Sequence, residues 1–275
     1  MYYPLIRSSL IPSTRYVTSL NQGKPKMILQ DLSIGIPINI FSNIYTNLHY
    51  GFDITSPQSI LLQFLLGFYT YGNDRLKDAK EYENNKLTIY SDNKINLYER
   101  ILKNQNLYYF SLATSFLSII ILLSDNFNNY PFLGLLFFST YYKEYKPILG
   151  EYKPLFIGTM WTITSIILPC VLYDNNYSIL LEPLDYLPCL LFIFSASNFA
   201  DILDLKEDKL LGVNTIPVKY GKYNTILLSF VCVAIASILL IENPNFENRF
   251  WINSLIEAQH IGLMFALYNS STNLL

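Results

Sequence analysis

Two groups of carboxylates stand where carboxylates are costly, directly after apolar runs. In "SNFADILDLKEDKLLGVNTIPVKYG", Ser197 to Gly221, the acids Asp201, Asp204 and Asp208 are spaced i, i+3, i+7. That spacing puts all three on one helical face. In "YTYGNDRLKDAKEYE", Tyr69 to Glu83, the acids Asp74, Asp78 and Glu81 are spaced i, i+4, i+7, and Asn73 precedes them. Like charges this close repel, and their pKa values rise unless a cation sits among them. The plain reading is a solvated helix end with spare acid, which Lys206 and Lys209 would pair. The chemical reading is a magnesium site, because magnesium takes oxygen ligands and joins one or two carboxylates to substrate phosphates. Two acidic faces opposite each other would hold two magnesium ions around a diphosphate. The metals would act as Lewis acids on the departing phosphate oxygens. Carboxylates alone would repel that anion, so metal dependence follows from the sign of the charge.

The elements that carry these acids are read from composition and charge. Of 275 residues, 51% are apolar and only 15% charged, against about 25% charged in an ordinary soluble domain. Mean hydropathy is +0.25. A net charge of −2 offers no basic surface for nucleic acid. Cys170, Cys189 and Cys232 lie in apolar runs without metal-ligand spacing and read as buried packing residues. A spanning helix needs about 20 mostly apolar residues. Eight candidates fall at 33–50, 57–73, 105–124, 130–143, 154–173, 184–201, 222–241 and 250–270. If the chain alternates sides from an inside N-terminus, every Lys and Arg except Arg249 lies inside, out of 19. The positive-inside rule expects such an asymmetry. With no water in the bilayer, each span must satisfy its own backbone, so the spans should be helices. Both acidic clusters then lie on one side of the membrane.

Residues 1–26 contain Arg7 and Arg15, several Ser and no acid. They fit an organelle transit segment, plastid or mitochondrial, and equally an ordinary basic tail. Residues 27–275 read as one transmembrane domain.

The second acidic segment resembles that of the UbiA superfamily of intramembrane prenyltransferases. The family pattern is N-D-x-x-D-x-x-x-D, then a Gly, then T-[IL]-P-V and a Gly. Here Asp201, Asp204, Asp208, Gly212, Thr215, Ile216, Pro217, Val218 and Gly221 match. Ala200 takes the place of the leading Asn, and Asn198 stands two residues earlier. In the first motif, Asn73, Asp74 and Glu81 match, but Lys77 stands where an Asp is expected and Asp78 comes one later. Either the local helix is shifted so that Asp78 serves, or this site binds metal differently. The segment "YYKEYKPILGEYKP" is similar to the family's tyrosine-then-lysine stretch. The resemblance covers about residues 33–241.

It implies an all-α integral membrane protein, a bundle of about eight helices (nine in the family) around a central cavity. It implies Mg2+ held by Asp74, Asp78, Glu81, Asp201, Asp204 and Asp208, with Asp74, Asp78, Asp201 and Asp204 catalytic. Asn73, Asn198, Lys146 and Lys143 would bind substrate, with Lys153 a further candidate beside Lys143. The substrates would be a prenyl diphosphate donor and an aromatic or other lipophilic acceptor drawn from the bilayer. The long loop 74–104, polar and lysine-rich, would cap the site. The same fold also serves intramolecular cyclisation, as in UbiA-type terpene synthases. A non-catalytic multi-pass membrane protein would account for the altered first motif. A soluble helical prenyl synthase conflicts with the charge asymmetry.

Other polar residues in the spans are less telling. Asn39, Asn43 and Asn47 form a stripe that fits a pocket wall or helix–helix hydrogen bonding. His49 and His260 are isolated. Aromatics near the clusters, Phe68, Tyr69, Tyr71, Phe194 and Phe199, would line an isoprenoid tunnel and steady an allylic cation, or simply pack.

Overall fold

The computed structural model describes residues 57–85, 92–124, 132–174 and 178–242. All regular structure among them is helical. The tail 1–26 and the spans expected at 33–50 and 250–270 lie outside the described residues, and with them Asn39, Asn43, Asn47, His49 and His260. In chain order the helices are α1 (Pro57–Asn85), α2 (Asp92–Lys103), α3 (Gln105–Ser124) and α4 (Leu133–Leu149). They continue as α5 (Lys153–Thr162), α6 (Leu168–Asp174), α7 (Pro183–Leu203), α8 (Leu205–Leu210), α9 (Ile216–Tyr220) and α10 (Lys222–Glu242).

Four helical runs among the described residues are long and apolar enough to cross a membrane: Gln105–Ser124, Leu133–Leu172, Pro183–Leu203 and Lys222–Leu239. α1, expected to span over 57–73, is 29 residues long but is not one of the four. Gln58, Gln63, Thr70 and Asn73 dilute its apolar part, and the remainder is charged. Segment 74–104, expected as a long loop, is almost wholly helix over its described residues, because α1 continues past its apolar stretch to Asn85 and the amphipathic α2 follows.

The run Leu133–Leu172 covers most of two expected spans, 130–143 and 154–173, and it turns at Gly150. Gly150 has φ +50°, and a Cβ there would stand 3.3 Å from the Asn214 carbonyl oxygen. Both the left-handed backbone and the close approach call for glycine. Beyond the turn, the Phe156 ring packs on Tyr142 at 6.2 Å and on Phe138 at 5.8 Å between centroids, so α5 folds back along α4. A π turn at Ile163–Ile167 joins α5 to α6. Pro169, which follows it, has no N–H and crowds the carbonyl four residues back, so a wider turn relieves the helix there.

Two apolar cores result. One joins α1 to α4 through Leu62, Leu66, Tyr69, Ile101, Tyr108 and Leu136. The other joins α6, α7 and α10, together with the π turn, through Ile166, Cys170, Cys189, Phe192, Val233 and Ala236. Cys170, Cys189 and Cys232 form no disulfide among the described residues and are buried, as packing residues should be. The α4–α5 hairpin lies between the halves. The first acidic segment belongs to one half and the second to the other, so the site depends on how this hairpin is seated.

α5 is seated on α7 by a small residue. A Cβ on Gly158 would stand 3.1 Å from the Leu190 carbonyl oxygen and 3.4 Å from the Phe194 backbone nitrogen. Helices in lipid gain attraction by such close backbone approach. Gly158→Val is therefore expected to force α5 off α7 and destabilise the fold by about 1–3 kcal/mol, the usual penalty of overpacking. The thermal unfolding midpoint in detergent should fall; an unchanged midpoint would mean that the two helices separate freely.

Candidate functional site

The second acidic segment is built by a break in a helix. α7 ends at Asp204, whose φ and ψ are −91° and 7°, and α8 starts directly after it. Asp201 and Asp208 point inward and are 1% exposed. The Asp204 side chain is 37% exposed and turns outward. It meets Lys94 of α2, whose Nζ donates to Asp204 Oδ1 at 2.9 Å and to Glu207 Oε2 at 2.6 Å. Burial works against the Lys94 charge, but the hydrogen bonds to Glu207 and Asp204 outweigh it and hold its proton above the ordinary lysine range. The three acids thus divide: two face the interior and one faces the amphipathic helix α2.

The chain after α8 serves Asp208. Gly212 turns it at φ +70°, and Val213 donates its N–H back to the Asp208 carbonyl at 2.9 Å. Thr215 stands at the N-cap of α9 with extended backbone but makes no side-chain cap bond. Its hydroxyl donates instead to Asp208 Oδ2 at 3.2 Å. The Thr-Ile-Pro-Val stretch therefore starts a short helix, with Pro217 in its first turn, and also fixes an acid.

The first acidic segment lies on α1. Asn73 donates to the backbone carbonyls of Thr140 at 2.9 Å and Ser139 at 3.3 Å, tying α1 to α4. Lys77 reaches the same Thr140 carbonyl and pairs with Glu144 at 2.7 Å. Asp78 and Glu81 share Lys143, which hydrogen-bonds Asp78 and lies 2.6 Å from Glu81. Asp74 stands just past the apolar stretch of α1. Burial, and then the neighbouring Asp78, raise its carboxyl above the usual carboxylate range.

The α4–α5 hairpin brings cations between the two segments. Lys153 makes a buried ion pair with Asp201. Lys146 lies 3.9 Å from Asp208 and within electrostatic reach of Asp74 and Asp201. Tyr142, one turn before Lys146, feels Asp74, Asp201 and Asp208 together. The hairpin is held in register from outside: Glu151 accepts from Lys219 at 2.8 Å and from Tyr220 at 2.7 Å. So Asp74, Asp201 and Asp208 act together on Tyr142, with Lys153 paired to Asp201 and Lys146 near Asp208, while Asp204 is turned toward α2 and Asp78 and Glu81 toward Lys143.

A cavity opens from this point between α1, α4 and α5. It holds about 670 Å³ of empty space including its mouth. Asp74 and Tyr142 stand among an otherwise largely apolar wall that includes Leu66, Phe138, Phe156 and Trp161. Tyr71 also lines it and stacks on Trp161 at 5.9 Å. Phe68 and Tyr69 are instead buried in the core, and the Tyr69 hydroxyl bonds Thr140 at 2.9 Å.

Does the site fit magnesium? Asp201 Oδ2, Asp208 Oδ1 and both polar atoms of the Asn198 amide are buried without a hydrogen-bond partner among the described residues. Asn198 is wholly buried and precedes Asp201 by one turn. Orphaned buried carboxylate oxygens are costly, and they are the donors that a hard cation takes. No group of three or more His, Cys, Asp or Glu side chains among the described residues is gathered to hold a metal alone. A magnesium ion here would need further oxygens from water or substrate, which is how magnesium is usually bound. The fit is therefore good at Asp201 and Asp208 and poorer at Asp78 and Glu81.

Sequence spacing found the acids but not their partners. Lys206 and Lys209 were the near candidates for pairing; the described partners, Lys94, Lys143, Lys146 and Lys153, come from other elements. Tyr142 and the Thr215 hydroxyl had no separate signal beyond the motifs around them. No protein-family model, curated protein or solved structure matches this chain.

Proposed function

We propose that the protein is a magnesium-dependent prenyltransferase of the UbiA type, moving an isoprenoid chain from a prenyl diphosphate to a lipophilic acceptor. The observation that carries the reading is the cavity: largely apolar and aromatic along its walls, with Asp74 as the acid that lines it, and Lys146, one turn beyond the lining Tyr142, 3.9 Å from Asp208. That polarity suits an amphiphile with a long apolar tail and an anionic head. The resemblance of the second acidic segment to the family motif supports the same reading.

Asp201 and Asp208, with Asp74 across from them, would hold the metal. When bound, magnesium would draw off negative charge from the departing phosphate oxygens. The chain's own groups do the rest. Lys146 and Lys153 supply positive charge to the diphosphate. The cavity walls hold the isoprenoid and keep water from the reacting carbon. The carbon–oxygen bond of the donor breaks, and its electron pair leaves with the diphosphate. The acceptor supplies the pair for the new bond and gives up a proton. Tyr71, Tyr142 and Trp161 line the cavity, and aromatic rings there would favour positive charge on the allylic carbon.

The test is release of pyrophosphate from farnesyl or geranylgeranyl diphosphate by the purified protein, with and without magnesium. No magnesium-dependent release would reject the reading. Cyclic hydrocarbon formed without added acceptor would shift it to a terpene cyclase. Lys146→Ala should raise the Michaelis constant for the donor about tenfold or more, since a charge-assisted hydrogen bond contributes roughly 1.5–3 kcal/mol. Unchanged donor kinetics would remove Lys146 from the site.

A further inference from the structure

The two acidic segments differ in what they leave unsatisfied. In the second, Asp201 Oδ2 and Asp208 Oδ1 are buried without a hydrogen bond among the described residues, as are both polar atoms of the Asn198 amide, and the nearest cation to Asp208 Oδ1 is Lys146 at 3.9 Å. In the first, Asp78 and Glu81 share the Lys143 ammonium, and their side chains are 30% and 37% exposed, so water reaches them. Position 77, between Asp74 and Asp78, carries a lysine, and that lysine is occupied by Glu144 and the Thr140 carbonyl. The first segment's Asp78 and Glu81 thus share one ammonium, whereas in the second, although Lys153 pairs with Asp201 and Lys146 lies 3.9 Å from Asp208, one buried oxygen of each acid keeps no hydrogen bond.

Resting on the prenyl-diphosphate reading, we propose that the site takes one divalent cation, between Asp201 and Asp208, and that Lys143 stands permanently where a second would bind. An ammonium between two carboxylates occupies the position and the charge that a metal ion at Asp78 and Glu81 would need. A metal there would have to expel Lys143 from contacts with both acids. At Asp201 and Asp208 a metal need break no hydrogen bond, because Lys153 and Thr215 each take the other oxygen of their acid and Lys146, at 3.9 Å, makes no hydrogen bond to Asp208 Oδ1. The diphosphate would then meet one metal ion on the α7–α8 side and lysines on the α1–α4 side.

The test is a titration of the full chain in detergent with manganese and inorganic diphosphate, with free manganese read by electron paramagnetic resonance. One ion per chain is expected. Asp201→Asn should abolish that binding, and Asp208→Asn serves as the second variant should the first fail to fold. Asp78→Asn and Glu81→Gln should retain one ion. Lys143→Met should admit a second, because it frees Asp78 and Glu81. Two ions or none in the natural protein, loss of binding in Asp78→Asn, or a single ion in Lys143→Met would each overturn the proposal. Pyrophosphate release from a prenyl diphosphate, measured on the same preparation with magnesium, separates the two readings. Release with two bound ions sinks the single-ion site and leaves prenyl transfer standing. One bound ion without release does the reverse.

Discussion

Asp201→Asn is expected to lower magnesium-dependent turnover of a prenyl diphosphate by about 10²–10³-fold, the usual loss when one charge-stabilising group leaves an active site. The change keeps shape and removes the ligand charge. Asn still accepts a hydrogen bond from Lys153, so the chain should insert and fold. The loss should fall on turnover and on metal dependence, since the free oxygen of Asp201 is the one a cation would take. Asp204→Asn is the informative contrast. Its carboxylate is half-exposed and given to Lys94, so it should keep much more activity than Asp201→Asn. Equal losses in both would mean that Asp204 turns inward during the reaction. Full activity in Asp201→Asn would remove the second segment from the chemistry altogether.

That contrast shows what spacing can and cannot convey. Residues at i, i+3, i+7 share a face only while the helix is unbroken, and α7 stops at Asp204 itself. Helix periodicity carried Asp201 and Asp208 to the interior and gave no sign of the break between them. The helical character of the described residues was legible from length and apolar content. So was the boundary of α7, where charge begins. The α4–α5 turn was legible only as a gap between two apolar runs. Its position depends on Gly150 fitting against Asn214, a contact 64 residues away in the chain, and spacing holds no record of such contacts.

The lysines were read chiefly as topological charge, with Lys146, Lys143 and Lys153 as candidate substrate contacts. Lys146 and Lys153 flank Gly150 on the two arms of the hairpin, so one turn places both near the acids. Lys94 comes from α2, more than 100 positions before its partner Asp204. Pairing partners set by tertiary packing have no local signature. In the first segment, the replacement of an expected acid by Lys77 was visible in the sequence, but its consequence was not. The ammonium turns to α4 and holds Glu144, while Lys143 comes back the other way to Asp78.

The buried pair of Lys153 and Asp201 should show the largest effect on stability. Their side chains are 8% and 1% exposed. Removing one partner of a buried ion pair leaves a charge with neither water nor counter-ion, which destabilises by about 3–5 kcal/mol. Lys153→Met is therefore expected to lower the unfolding midpoint in detergent by more than any other single change at the site. Asp201→Asn is milder, because the amide oxygen still meets the ammonium. Combining Lys153→Met with Asp201→Asn should recover most of the loss, because the stranded charge is gone; buried pairs replaced as a unit are often neutral. A double variant as unstable as Lys153→Met alone would assign the loss to packing of the lysine stem. The single variant also reports on the cation. With Lys153 absent, Asp201 keeps the electrostatic influence of Lys146 but no hydrogen-bonded counter-ion, so added magnesium or manganese should raise the midpoint of Lys153→Met more than that of the natural protein. The same addition should leave the double variant unmoved. Equal responses in all three would mean that Asp201 does not meet the metal.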